Sequence, residues 1–169
     1  LPLRNIELKA RLADLQAARK VAQAVATARL GAQRQVDTYF HCTRGRLKLR
    51  QIDGLSAELV WYVRPDQQGP KASQYQLVPV SNPEALKAAL AGALGIRGIV
   101  QKRREIFLEH GVRIHLDEVV GLGDFLEFEA LLGPDMDEAA GHARLSQLIE
   151  AFAIDPADLL RGSYGDMVG

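Results

Sequence analysis

Cysteine is nearly absent. Cys42 stands alone in 169 residues, so no internal disulfide can brace the fold and no CxxC pair can hold a metal. We expect it to be a small strand residue beside His41 rather than a reactive thiol. Net charge is absent too: 21 Lys and Arg face 21 Asp and Glu, which excludes a global basic field for nucleic acid or an anionic membrane. No apolar run approaches the roughly 20 residues of a membrane span, and the N-terminus lacks a charged-then-apolar leader pattern. The expected location is therefore the cytoplasm. The common nucleotide and zinc signatures GxxxxGK[ST], GxGxxG after a strand, and HExxH are missing as well. What remains is ordinary globular material, 47% hydrophobic and 25% charged, in a chain read as one domain over 1–169. Any electrostatic function must be local.

Alternation of apolar and polar residues dominates the pattern. NIELKAR puts Ile6, Leu8 and Ala10 on one strand face and Glu7, Lys9 and Arg11 on the other. An Ala-rich stretch from Asp14 to Leu30 has helical spacing and ends at Gly31. QVDTYFHC, GRLKLRQI and SAELVWYVR follow as antiparallel strands with turns at 43–45 and Asp53-Gly54. Residues 65–74, with two prolines and a glycine, read as a mobile loop, and YQLVPV as a short strand. A helix begins at Asn82-Pro83 and runs to about Leu94. Three further strands, VQKRREIFLE, VRIHLDEVV and DFLEFEALL, turn at His110-Gly111 and 121–123, and a last helix covers about Asp137 to Phe152. About eight antiparallel strands must stack as a sandwich or close as a barrel.

The charged faces of these strands are unusual in grouping like charges. Arg46, Lys48 and Arg50 share a face, as do Tyr62 and Arg64; Lys102 and Arg104 share another; Arg113, His115 and Asp117 follow; Glu127 and Glu129 oppose Leu126 and Phe128. A solvated sheet face normally intersperses signs and carries Thr and Ser, because like charges across strands repel. Facing inward, about six cations would line one lumen, where desolvation would cost several kcal/mol each unless an anion matched them. A polyanionic ligand would supply that charge. Glu7, Glu127 and Glu129 add hard oxygen donors suited to Mg²⁺ held jointly with phosphate, and Arg and Lys suit phosphate contacts. His115 by itself reads as a polar strand residue, and Glu109, Asp137, Asp14 and Arg19 as surface charges.

In order along the chain, NIELKAR, GRLKLR, KRREIF, IHLDEVVGLGDFLEFE and GSYGDMV resemble the CYTH superfamily of triphosphate tunnel metalloenzymes, whose hallmark is an ExExK first strand. HLDEVVGLGDFLE and the SY near the end are most similar to its class IV adenylyl cyclase and thiamine triphosphatase branch. The resemblance implies an α+β fold: an eight-stranded antiparallel closed barrel with helices outside. It implies Glu7, Glu127 and Glu129 as ligands of Mg²⁺ or Mn²⁺. Lys9, Lys48, Arg50, Arg64, Lys102, Arg104 and Arg113 would bind the triphosphate, with Asp117, Lys9 and Arg50 catalytic. Expected partners are a nucleoside, other organic or inorganic triphosphate and a second copy in a homodimer, with no nucleic-acid polymer and no membrane. The expected activity is ATP cyclisation to cyclic AMP and pyrophosphate. The alternatives are hydrolysis of inorganic or thiamine triphosphate and a non-catalytic polyphosphate-binding module. Two departures stand out: Asn5 replaces the motif's first Glu, and Arg64 stands where Lys is common. The 65–74 loop, with Lys71, is the candidate lid at the tunnel mouth.

Overall fold

Alternation that buries both faces of a strand requires cover on two sides, and β1 (Leu3–Leu12) is buried continuously from Asn5 to Ala10. Its apolar face meets helices and its polar face meets the interior of a barrel. In the computed structural model, which describes residues 3–168, the other strands are β2 (Ala28–Phe40), β3 (Arg46–Ile52), β4 (Ser56–Val63), β5 (Lys71–Pro79), β6 (Ile96–Glu109), β7 (Val112–Val119) and β8 (Gly123–Leu131). They close in the order β1-β5-β4-β3-β2-β6-β7-β8, each pair antiparallel. Closure leaves no free sheet edge. The expected α+β barrel is what forms.

The hydrophobic core lies outside this barrel. Helices α1 (Leu15–Val25) and α3 (Glu138–Ala151) cover the outward apolar residues of β1, β6, β7 and β8, among them Ile6, Leu8, Phe107, Ile114, Leu126 and Phe128. Helix α2 (Pro83–Leu94) lays Leu86 and Leu90 against Phe40, Leu49 and Ala57. Asp14, Asn82 and Asp137 each accept a backbone N–H at the start of a helix, worth about 1 kcal/mol apiece. Asp14 and Asp137 are thus helix caps, more than surface charge. No described helix is long and apolar enough to cross a membrane.

Three local readings differ. The first helix stops at Val25 rather than Leu30, because Ala26 is already extended and Ala28 onward pairs with the long strand β6; tertiary pairing overrides the helical propensity of the Ala-rich run. The 65–74 loop is shorter, since Lys71, Ala72 and Ser73 pair with Glu7, Ile6 and Asn5. Cys42 lies exposed in the turn after β2, donating to the carbonyls of Arg44 and Gly45, and is not a strand residue.

The C-terminal segment closes one end of the barrel. A short 3-10 turn at Pro156–Asp158 leads to α4 (Tyr164–Val168), whose Tyr164 packs with Tyr39, Val100, Val119 and Phe125. Gly165 sits so close to Tyr39 that a Cβ there would lie 2.7 Å from the ring. Arg46 and Arg97 both grip Asp166, and the Lys71 ammonium donates to the carbonyls of Gln67, Leu160 and Arg161. Residues 64–70 join β4 to β5 at this same end, where Gln68 donates to the Leu159 carbonyl. This loop therefore belongs to the closed floor, and the lid at the mouth expected of 65–74 is not where the chain places it.

Candidate functional site

Inside the barrel runs a cavity of about 600 Å³. Lys9, Tyr39, Lys48, Ser163 and Tyr164 line its floor, beside the C-terminal segment, and Leu3, Ile52, Leu77 and Leu131, towards the opposite ends of their strands, line its mouth. The antiparallel register sets this polarity, because β1 enters at Leu3 and reaches the floor at Lys9. The tunnel is polar and cationic in its depth and apolar where it opens.

Two carboxylates fully out of solvent hold the deep cations in place. Asp37 accepts both Arg50 Nε and Nη2 at 2.8 Å and Lys102 Nζ at 2.7 Å, with Lys48 Nζ at 3.5 Å. Burial would raise the Asp37 pKa, but Arg50, Lys102 and Lys48 outweigh it and keep the carboxyl well below its usual range. Asp117 accepts Arg104 Nε at 2.7 Å and Nη2 at 2.8 Å, and the Tyr164 hydroxyl at 2.7 Å. Against the pull of burial, Arg104 holds Asp117 at about 2. Each bidentate fork fixes a guanidinium plane. The cations are thus pre-oriented by internal partners, and the charge left for a ligand is smaller than the cations alone suggest.

Lysine behaves differently in this setting. Burial pushes Lys9 and Lys102 below their ordinary range, opposed by Glu127 and Asp37 and reinforced by neighbouring arginines. Lys9 Nζ lies 3.6 Å from the centre of the Tyr164 ring, a cation–π contact that partly replaces water. Tyr39, raised to about 12 by burial and Asp37, and Tyr164, raised well above its ordinary value, stay protonated as donors.

One wall carries most of the acid. Glu127 accepts His115 Nδ1 at 2.9 Å and Arg104 at 3.2 Å, and lies 3.4 Å from Lys9. His115 is fully enclosed, and burial with Arg104 nearby lowers its pKa, so the ring is neutral at ordinary pH. Glu129 pairs in register with Glu7 on β1 and with Arg113 on β7; among the described residues no ion pair engages it. Glu7 is occupied by Arg64; burial raises its pKa against that pull, with Glu127 and Glu129 adding to the rise. Donor atoms of His115, Glu127 and Glu129 lie within 4.8 Å of one another. Among the described residues, the buried side-chain atoms without a partner include Asn5 Oδ1, Arg64 Nε and Nη2, and Arg113 Nε.

Lys9, Lys48, Arg50, Arg64, Lys102, Arg104, Arg113, Glu7, Glu127 and Glu129 all line the one cavity. Asp117 is fully buried behind Arg104 and Tyr164 and does not line it. Arg11 is exposed beyond the tunnel, over the Phe125 ring. Sequence reasoning missed Asp37 and Tyr39, although Gln35, Asp37 and Tyr39 share one face of β2, and an i, i+2 polar set was the available signal. It also missed Asp166, whose partners Arg46 and Arg97 come from distant strands.

Residues 3–164 match the CYTH domain family. The chain belongs to the CYTH family. Among curated proteins none matches it by sequence. Solved structures do: the PH1012 protein of Pyrococcus horikoshii OT3 superposes with a TM-score of 0.83 at 19% identity, covering 98% of this chain and 99% of the other. A candidate adenylate cyclase of Vibrio parahaemolyticus gives 0.76 at 21% identity, covering 96% of each. HpAC1 of Hippeastrum, a candidate adenylyl cyclase described with a dominant triphosphatase activity, gives 0.65 at 16% identity over 94% of this chain and 91% of that one. At such identities the likeness is one of fold, and this CYTH barrel is their barrel.

Proposed function

We propose that this CYTH protein is a metal-dependent enzyme acting on an organic triphosphate that enters the tunnel phosphates first. The observation that carries the reading is the gradient along one cavity: pre-oriented cations at the floor, carboxylates and His115 on one wall, leucines at the mouth. Phosphoryl chemistry asks mainly for positioning and charge neutralisation, which is what fixed guanidinium forks supply. Arg64 and Arg113 bring unpartnered N–H donors to phosphate oxygens, and Lys9, Lys48, Arg50, Lys102 and Arg104 set the positive field around them. Asp117 is a positioning residue, acting through Arg104 and the Tyr164 hydroxyl.

Glu127 and Glu129, backed by Glu7 on β1, fit a divalent ion such as Mg²⁺ or Mn²⁺. Among the described residues no ion pair engages Glu129, and Asn5 Oδ1, in the same cavity, has no hydrogen-bond partner. When bound, such an ion neutralises phosphate oxygens as a Lewis acid.

The apolar mouth favours a substrate with an organic group, and ATP cyclisation is the first reading. The ribose 3′-hydroxyl forms a bond to the α-phosphorus in line, the α–β bridging bond breaks, and pyrophosphate leaves with cyclic AMP as product. Hydrolysis is the second, with water attacking the terminal phosphorus and orthophosphate leaving. Two points favour it: the densest cations lie at the floor, where the terminal phosphate would sit, and the fold neighbour HpAC1 is described with a dominant triphosphatase activity. The GLGDF segment does not decide between them. It forms the β7–β8 hairpin, where Gly121 and Gly123 adopt φ of 77° and 109°, so its glycines serve the turn.

The test is chromatography of all products from ATP, thiamine triphosphate and inorganic triphosphate, each with Mg²⁺ or Mn²⁺. Cyclic AMP with pyrophosphate identifies the cyclase and orthophosphate the hydrolase. No turnover of any substrate under either ion overturns the enzymatic reading and leaves a polyphosphate-binding module, the alternative that Asn5 favours. Leu77→Ser with Leu131→Ser should raise KM for the organic substrate about tenfold, the equivalent of ~1.4 kcal/mol of lost apolar contact, and leave inorganic triphosphate unaffected.

A further inference from the structure

One polar pair in the tunnel stands outside the network of charges. Gln33 and Gln35 line the cavity on the face of β2 that also carries Asp37 and Tyr39, since residues two apart on a strand share a face. The Gln35 amide nitrogen donates to Gln33 Oε1 at 2.6 Å, which uses one polar atom of each side chain. Gln35 Oε1 is left without a hydrogen-bond partner, in a residue only 3% exposed. An unsatisfied buried oxygen destabilises the free protein. What it lacks is a donor.

The phosphates cannot be that donor. A carbonyl oxygen only accepts hydrogen bonds, and ionised phosphate oxygens carry no proton to give. Position points instead to the organic end of a substrate. Gln35 pairs in register with Ile52 at the mouth, and it stands four residues from Tyr39 at the floor, about 13 Å of strand. Gln33 pairs with Arg104, and Ile106, two residues further along β6, is buried and lines the same cavity. Ile52 and Ile106 thus set apolar surface beside the amide pair. Apolar walls with one polar edge suit a flat heteroaromatic ring, whereas a sugar hydroxyl has no use for the isoleucines. The exocyclic amine of such a ring projects beyond its edge with two N–H donors, and so reaches an oxygen this deeply enclosed.

We propose that Gln35 selects the organic group of the substrate: its Oε1 accepts an N–H from the exocyclic amine of a nitrogen heterocycle lying against Ile52 and Ile106, adenine where the substrate is ATP. Gln33 is a positioning residue that holds the Gln35 amide. The inference rests on the reading that an organic triphosphate enters phosphates first, and it names the group at the other end. A site built to accept a hydrogen bond rejects an analogue without the donor, because the buried oxygen then stays unpaired.

The probes are ATP, purine riboside triphosphate, which lacks only the 6-amino group, and inosine triphosphate, which carries an oxo acceptor in its place. Each, with inorganic triphosphate beside them, is titrated calorimetrically into wild type and Gln35→Met without divalent ion, so that binding is read apart from turnover. Wild type should bind ATP about tenfold or more tighter than either other nucleotide, and Gln35→Met should bring the three within about threefold of one another. Methionine keeps the length of the side chain and removes an oxygen that is unsatisfied in the free protein, so the unliganded variant should melt no lower than wild type. A lower Tm with an unchanged nucleotide preference marks a purely structural glutamine and overturns the proposal. The wild-type comparison decides without any variant having to fold. ATP and purine riboside triphosphate bound alike overturns the proposal, as does inorganic triphosphate bound where ATP is not; both leave the tunnel standing as a triphosphate site. A preference for ATP with no product from any triphosphate would sink the enzymatic reading and leave the role of Gln35 intact. Binding of none of the four would sink both.

Discussion

Asp37→Asn isolates the role of the buried acid at the tunnel floor. The carboxylate is 1% exposed and is the shared partner of Arg50, Lys102 and Lys48, whose side chains are 14%, 1% and 13% exposed. The amide is nearly isosteric, so packing is preserved and only charge changes. Removing one side of a buried ion pair costs about 3–5 kcal/mol, because the remaining charges stay desolvated and unmatched. For a chain of this length each kcal/mol lowers Tm by about 2–4 °C, so the variant should melt about 10 °C lower in thermal unfolding followed by circular dichroism. A bound anion should replace part of the missing charge. Inorganic triphosphate should therefore raise Tm more in the variant than in the wild type, by the linkage of binding to stability. A variant within about 1 kcal/mol of wild type, or one whose triphosphate-dependent gain is no larger, would refute the claim that Asp37 balances the phosphate-binding cations.

Three further outcomes follow from the same geometry. Asp117 has its folded pKa depressed to about 2 from an ordinary 3.8, so its contribution is present above pH ~4 and lost as pH falls toward 2. Acid unfolding curves should show about 2 kcal/mol of stability disappearing in that window, and Asp117→Asn should flatten that part of the curve. Lys9 and Lys102 have lowered pKa values, and a bound polyanion favours their protonated forms; calorimetry in buffers of different ionisation enthalpy should detect proton uptake on triphosphate binding, with affinity weakening as alkaline pH strips those lysines. Gly165→Ala places a Cβ against the Tyr39 ring, and should cost about 1–3 kcal/mol by overpacking, read by urea denaturation.

Much of the barrel was legible because period-2 alternation is long and clean in β1, β3, β7 and β8, and because like charges recurring on one face are hard to explain on a solvated sheet. Closure itself was less legible: the same strands could have stacked as a sandwich, and pattern alone does not say which face turns inward. Among the tunnel residues, the cations and Glu127 stood out by grouping. Asp37 did not, because its meaning depends on facing Arg50 across the β2–β3 pair, and a five-residue turn leaves that register open in the sequence. His115 read as a bland strand residue because its partners, Glu127 on β8 and Arg104 on β6, are set by barrel register. The same non-local logic hid the floor. Lys71 looked like part of a mobile loop, while its three carbonyl partners lie in the 64–70 turn and the C-terminal segment.

The central claim is that the tunnel grips a triphosphate with arginines whose donors are otherwise unpaired. Isothermal titration of inorganic triphosphate into wild type, Arg113→Gln and the exposed-surface control Arg34→Gln tests it most directly. Arg113 lines the tunnel and has an unpartnered Nε, whereas Arg34 is exposed. The account predicts one triphosphate per chain, an affinity at least tenfold weaker in Arg113→Gln from the loss of ~1.5–3 kcal/mol of charge-assisted bonding, and no change in Arg34→Gln. Equal affinity in all three proteins would contradict it.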